Sequence, residues 1–247
     1  MAQLRAVIFG AIGVIAETSD LQRRAFNAAF AEAGLDWVWD VATYRDLLSI
    51  NGGQERLRAH RDADVHRSGV SDALIAVLHD RKTALYAEII EGGSLAPRSG
   101  VASLVAACKA AGVLNAFCTS TSRNNVDAIA DGIAGQLDFA DFASITTIDK
   151  IARVKPAPDA YLHCLGALGL TADEVVAIED TPVSMASALA AGIRVIATPG
   201  AMTADQDFSG AALVVPDLTA VTLSMIEALL TQSQEMKSPA ICAAIAA

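Results

Sequence analysis

Short apolar runs separated by longer amphipathic stretches set the pattern of this chain. Residues 6–9, Ala-Val-Ile-Phe, are uninterruptedly apolar and run into Gly10 and Gly13, which predicts a short buried strand ending in a tight turn. Beyond Ser19-Asp20 the period changes: Leu21, Ala25, Ala28, Ala29 and Ala33 fall at helical spacing, and the pattern stops at Gly34. Helical patterns continue over residues 41–50, 53–61 and 71–90 without a convincing strand among them, and Glu91-Gly-Gly-Ser closes the block. From Pro97 the chain alternates regularly. Helices are expected over residues 101–111, from Asn124, over 158–168, over 183–191 and from about Thr219; strands are expected over residues 114–118, 144–147, 175–178, 194–198 and 212–215. Thr171-Ala-Asp-Glu174 is a capping-box pattern for a brief turn before the strand at Val175.

Strands separated by helices of this length imply parallel pairing with right-handed crossovers, hence an α/β class with a Rossmann-like parallel sheet. The helical block between the first and second strands predicts an inserted cap. The expected division is core over residues 1–17, cap over 18–92 and core again over 93–247, with a small, apolar tail over 238–247.

Composition narrows the partners. A hydrophobic fraction of 53% with 19% charged residues describes a globular chain with an ample core. A formal charge of −10 argues against nucleic acid or an anionic membrane surface as partner, so any phosphate must be held by a local site. No apolar run reaches transmembrane length, and the passage from Arg5 straight into a strand lacks the pattern of a secretory leader. Cys108, Cys118, Cys164 and Cys242 show no ligand spacing, so they are expected to be small buried hydrophobes in a reducing, cytoplasmic setting.

The candidate chemistry sits at strand ends, where open parallel sheets place their ligands. Thr119, with Ser120 and Thr121, follows an apolar strand and enters a helix; hydroxyls and backbone amides there form either an anion cradle or an ordinary helix cap. Lys155 lies in Val-Lys-Pro-Ala-Pro-Asp, where two prolines present one lysine, to the sheet edge or to solvent. Glu179-Asp180 ends the strand Val-Val-Ala-Ile, a pair suited to a hard cation or to capping the next helix. In the helical block, Arg56 ends Asn51-Gly-Gly-Gln-Glu-Arg and is either an anion contact or a surface residue.

Taken together, residues 6–18, Cys-Thr-Ser-Thr-Ser from Cys118, the lysine turn and Ala-Ile-Glu-Asp-Thr from Ala177 resemble the motifs of the haloacid dehalogenase (HAD) superfamily, over nearly the whole chain. Asn51–Arg56, Glu17-Thr18 and the segment from Arg23 to Asn27 resemble its CbbY-like and β-phosphoglucomutase-like branch, although Gln22 stands where that branch usually carries histidine. The resemblance implies a HAD-type core with a helical cap and a small phosphorylated sugar as partner. It makes Thr119, Ser120 and Lys155 the phosphate contacts, and Glu17 and Arg56 the substrate contacts in the cap. It also implies Mg²⁺, held by Asp180, Glu179 and the backbone carbonyl of Ile12.

One motif departs. The family writes the first strand end as Phe-Asp-x-Asp-Gly, with a nucleophilic aspartate and an acid/base aspartate; here those positions are Gly10 and Ile12. The expected function is therefore phosphosugar binding with lost or strongly impaired hydrolysis, and weakened or absent Mg²⁺ binding. Family membership by itself implies the alternative, an active Mg²⁺-dependent phosphatase of a small sugar bisphosphate such as a pentulose bisphosphate. Glu17 and Glu179 are the carboxylates nearest in sequence that could substitute for the nucleophile.

Overall fold

In a computed structural model of the chain, residues 3–10, 12–50, 52–93 and 95–236 are described, with side chains as far as residue 231. The readings made for Asn51, Ser94, Cys242 and the tail lie outside these residues. Six strands, β1 (Ala6–Phe9), β2 (Leu114–Cys118), β3 (Phe142–Thr146), β4 (Val175–Glu179), β5 (Arg194–Ala197) and β6 (Leu213–Val214), form one sheet in the order β3-β2-β1-β4-β5-β6. Every pairing is parallel, and β1 lies between β2 and β4. The chain thus has the parallel α/β fold that its apolar pattern predicts.

Period-two alternation explains the two cores. Along β1, Val7 and Phe9 pack on one face of the sheet and Ala6 and Ile8 on the other; along β4, Val176 and Ile178 oppose Val175 and Ala177 in the same way. The first face is covered by α6 (Val101–Ala110), α7 (Arg123–Gly132) and α10 (Leu223–Met236), the second by α8 (Asp159–Leu168) and α9 (Pro182–Ala190). A strand buried on both sides must be apolar throughout, which is why β1 and β4 read as unbroken apolar runs.

A short helix, α1 (Ile12–Ile15), follows β1 where the sequence suggested only a turn. The next helices are α2 (Ser19–Glu32), α3 (Val41–Leu47), α4 (Gly53–Asp62) and α5 (Asp72–Glu91), and no strand interrupts them among the described residues. They enclose an aromatic cluster of their own, with Phe26, Phe30, Trp37, Trp39 and Tyr44 buried together. Asp40 caps α3 by accepting from Thr43 N at 2.7 Å, and Ser71 caps α5 by accepting from Leu74 N at 3.2 Å.

The helical segment packs on the first face of the sheet through Ala25, Ala29, Leu85, Tyr86 and Ile90, and it also meets the loop after β5. Met202 from that loop is buried in the aromatic cluster, and Arg45 of α3 pairs with Asp205 at 3.0 Å. Arg98, on the chain's return to the sheet, donates to Gly13 O at 2.9 Å, Thr198 O at 2.7 Å and Pro199 O at 2.9 Å.

Gly100, the residue before α6, has φ +84°, and a Cβ there would overlap the backbone of Leu218 and Thr219. We expect Gly100→Ala to destabilise the protein by about 2 kcal/mol or more, since strain and overlap add; urea denaturation with the slope held constant measures it.

Candidate functional site

The carboxyl ends of β1, β2 and β4 open into a cavity of about 520 Å³, closed on the far side by α2, α4 and α5. Its floor carries Gly10, Ile12, Gly13, Thr119, Ser120, Lys155 and Asp180, and its opposite wall carries Gln22, Arg56, His79 and Lys82. Sequence distance is large and spatial distance small because the parallel topology points every strand end the same way.

Lys155 is 3% exposed, and its ammonium ties the floor together. It donates to the carbonyl of Gly10, to Cys118 O at 3.2 Å and to Glu179 Oε1 at 2.7 Å. It thereby joins the ends of β1, β2 and β4, while lying 4.8 Å from the Tyr161 ring centre. Glu179 is fully buried, and its Oε1 also accepts from the Tyr161 hydroxyl. Burial pushes the Glu179 carboxyl up, and Lys155 and Tyr161 pull against it.

At Gly10 this arrangement occupies the space of the missing side chain. A Cβ on Gly10 would overlap both Glu179 Oε1 and the Tyr161 hydroxyl. A Cβ on Gly13 would likewise overlap Asp180 Oδ2, so these two glycines are where carboxylates of β4 approach the first strand end. The carbonyl of Ile12 accepts from Ala16 N at 2.8 Å inside α1, and its side chain is apolar.

The hydroxyl turn after β2 has the expected form. Thr119 Oγ1 accepts from Thr121 N at 3.2 Å, Ser120 Oγ accepts from Lys155 N at 3.3 Å, and Ser122 caps α7 by accepting from Asn125 N at 3.4 Å. Thr119, Ser120, Thr121 and Ser122 all line the cavity. Arg56 faces them from α4, its Nε held by Leu47 O at 3.1 Å and Ile50 O at 2.9 Å.

Glu17 does not join them. It was expected among the substrate contacts; instead its carboxylate accepts from Ser19 N at 3.2 Å and Ala201 N at 3.2 Å, and it is absent from the cavity lining. Two amides at the linker outcompete the cavity for that carboxylate.

Sequence reasoning missed three contributors. Lys82 is 6% exposed in the cavity wall, and its ammonium lies 4.9 Å from the Phe26 ring centre and 5.2 Å from that of Tyr86. Burial, with Arg56 nearby, lowers its pKa to about 7. Its signal was present: Ile75, Leu78, Lys82, Leu85 and Tyr86 form the buried stripe of α5, so one lysine stands at an apolar position. The other two are His79, whose pKa burial lowers, and Tyr161, which carried no local signal.

The donor set suits a hard cation. Asp180 Oδ1 and Glu179 Oε2, on adjacent residues, are buried acceptor oxygens without a hydrogen-bond partner. Unpaired buried carboxylate oxygens are costly, and a divalent cation is the usual remedy.

A profile of haloacid dehalogenase-like hydrolases matches residues 4–192 of the chain. The chain belongs to this family. Within it, CbbY from Rhodobacter capsulatus is 44% identical over 227 residues, 92% of this chain and 99% of that one. The plasmid-borne CbbY of Cupriavidus necator is 40% identical over 218 residues, 87% of this chain and 86% of its own length. CbbY from Rhodobacter sphaeroides, solved in complex with phosphate, superposes with a TM-score of 0.80 at 35% identity, covering 88% of this chain and 96% of that one. A mutant of the same protein, solved with xylulose-(1,5)bisphosphate, gives a TM-score of 0.80 at 34% identity, with the same coverage of 88% and 96%. These matches place the chain in the CbbY-like branch of the HAD family. A β-phosphoglucomutase from Clostridium difficile, at 18% identity and a TM-score of 0.77 over 94% of this chain and 99% of that one, shares the fold.

Burial, and then the neighbouring Glu179 charge, raise the Asp180 pKa from 3.8 to about 7. For a carboxyl whose folded pKa is raised, folding favours the protonated form, so its full contribution stands below 3.8 and is lost as pH climbs from 3.8 to about 7 and beyond. Part of that loss falls between pH 6 and 8. Asp180→Asn should therefore raise Tm in EDTA at both pH 6 and pH 8, and more at pH 8, because the loss begins at 3.8 and continues past about 7; an equal shift at both pH values would contradict the assignment.

Proposed function

We propose that this CbbY-like protein binds a small phosphorylated sugar in the cavity and hydrolyses it slowly or not at all. The observation that carries this reading is the filled space at Gly10. The residue at the nucleophile position has no side chain, and the volume a side chain would take holds a carboxylate oxygen already paired with Lys155 and Tyr161.

Neither substitute considered from the sequence is placed to attack. Glu179 Oε1 is spoken for and its residue is fully buried, whereas Glu17 is bound to linker amides. Ile12 offers no proton to a departing alcohol. Loss of a covalent nucleophile costs on the order of 10⁶ in rate, judged from serine proteases, and loss of a general acid on the order of 10²–10⁴ more.

What survives is the apparatus for holding an anion. Thr119 and Ser120 present hydroxyls at the mouth of β2, Lys155 neutralises the floor behind them, and Arg56 on the opposite wall suits a second anionic group of the sugar. That the CbbY of Rhodobacter sphaeroides was solved with phosphate, and a mutant of it with xylulose-(1,5)bisphosphate, supports a sugar phosphate as the ligand class.

Mg²⁺ would be held by Asp180 and by Glu179 through Oε2, with the Ile12 carbonyl as the third contact suggested by family resemblance. Bound there, it would neutralise the two adjacent carboxylates that otherwise repel a phosphate dianion. With both family aspartates replaced, the floor carries two fewer negative charges, so an anion has less need of the metal as a bridge.

Phosphate release from a panel of sugar phosphates with Mg²⁺ is expected at background level. Gly10→Asp combined with Ile12→Asp should restore turnover, provided Glu179 turns out of the space at position 10. Robust turnover by the unmodified protein would favour the active-phosphatase reading instead.

Calorimetry of inorganic phosphate in EDTA should show binding that Thr119→Val weakens. Binding seen solely after Mg²⁺ is added would contradict retention by the chain's own residues.

A further inference from the structure

The loop after β5 places a thioether at the boundary between the helical segment and the cavity. Met202 is 6% exposed and belongs to the cluster that holds Phe26, Trp39, Tyr44 and Leu47, yet it also lines the cavity together with Tyr44 and Leu48. One side chain therefore anchors the loop inside the helices and borders space that a small solute can enter. The other methionines with described side chains are placed differently. Met185 on α9 is 7% exposed in the second core and lies outside the cavity lining, and Met225 on α10 is 39% exposed.

Polar contacts on either side couple Met202 to the rest of the site. Ala201 donates its N–H to Glu17 at 3.2 Å and its carbonyl accepts from Arg45 at 3.4 Å, while the Thr203 hydroxyl donates to Asp180 O at 2.8 Å. A displaced Met202 would thus disturb the linker at Glu17, the start of the helical segment's third helix at Arg45, and the backbone of the carboxylate floor. An unbranched thioether suits an irregular aromatic interior, and it is also a side chain that oxidation makes polar.

We propose that Met202 is a redox-sensitive modification site: a peroxide entering the cavity converts it to the sulfoxide, which releases the helical segment from the loop. A sulfur lone pair attacks one peroxide oxygen, so that an S–O bond forms as the O–O bond breaks. Sulfur is oxidised by two electrons and the peroxide is reduced. The departing hydroxide takes the proton of the transferred oxygen and leaves as water. The sulfoxide is a strong acceptor with less preference than the thioether for an apolar interior, and sulfoxide reductases reverse the change. None of these steps depends on what the cavity binds.

The experiment exposes the whole protein to graded hydrogen peroxide, follows each methionine by peptide mapping and measures hydrogen–deuterium exchange on the same samples. We expect Met225 to react first, Met202 next and Met185 last, since access falls in that order. Formation of the Met202 sulfoxide should raise exchange on the order of tenfold in α3 and in residues 201–206, while β1 and β4 keep their protection. Methionine sulfoxide reductase should restore it. Met202→Leu should stay protected through the same exposure, and Met202→Gln, polar and of similar length, should lose protection without peroxide. Oxidation of Met185 ahead of Met202 overturns the proposal, because the cavity then gives no access. A Met202 sulfoxide or a Met202→Gln variant with unchanged exchange overturns it too, as does a sulfoxide that exposes β1 and β4 along with α3, which is unfolding of the whole protein.

Discussion

One buried ion pair holds the ligand end of this molecule together. Lys155 reaches the ends of β1 and β2 through the carbonyls of Gly10 and Cys118 and meets Glu179 from β4. Removing two charges from water is expensive, and the expense is met here by complete use of geometry: carbonyls, a carboxylate and the Tyr161 hydroxyl surround one ammonium. Because Glu179 must lie near Lys155, its carboxylate rests over Gly10. The absence of a side chain at that position and the pairing of Glu179 are two aspects of a single packing solution.

The same pair divides the cavity electrically. The floor neutralises itself at Lys155 and Glu179 and leaves Asp180 as a carboxylate whose ionisation is resisted by burial and by its neighbour. The opposite wall carries Arg56, His79 and Lys82, with burial lowering the charge of the last two. An anionic ligand between them meets hydroxyls on one side and a weakly charged basic surface on the other. On the proposed reading, such a surface binds a sugar phosphate without directing a strong fixed field at phosphorus.

Much of this was legible in the order of residues. Parallel α/β architecture followed from unbroken apolar runs such as residues 6–9, since strands covered on both faces have no polar side. Thr119, Ser120, Lys155 and Asp180 were placed in one cavity because each sits at a strand end or in a turn beside one, and Arg56 faces them from α4. Glu17 defeated the reading because its environment is made by amides of residues 19 and 201, the second far away in sequence. Tyr161 was silent for the same reason: a tyrosine on an amphipathic helix does not announce that its hydroxyl ends on a carboxylate of another strand. Lys82 was legible in principle, as a charged residue on the buried stripe of α5, and was obscured by the general expectation that lysines face water.

The loop after β5 receives Glu17 from the outgoing linker at Ala201, Arg98 from the returning one at Thr198 and Pro199, and Arg45 from α3 at Asp205. Met202 from the same loop is embedded among the aromatic residues of the helices. Both passages of the chain between sheet and helices are therefore fastened to one short stretch of backbone, which joins two strands of the sheet. Mechanically this is a latch rather than a pair of independent hinges: the helices cannot swing away from the cavity without drawing Met202 out of their own interior.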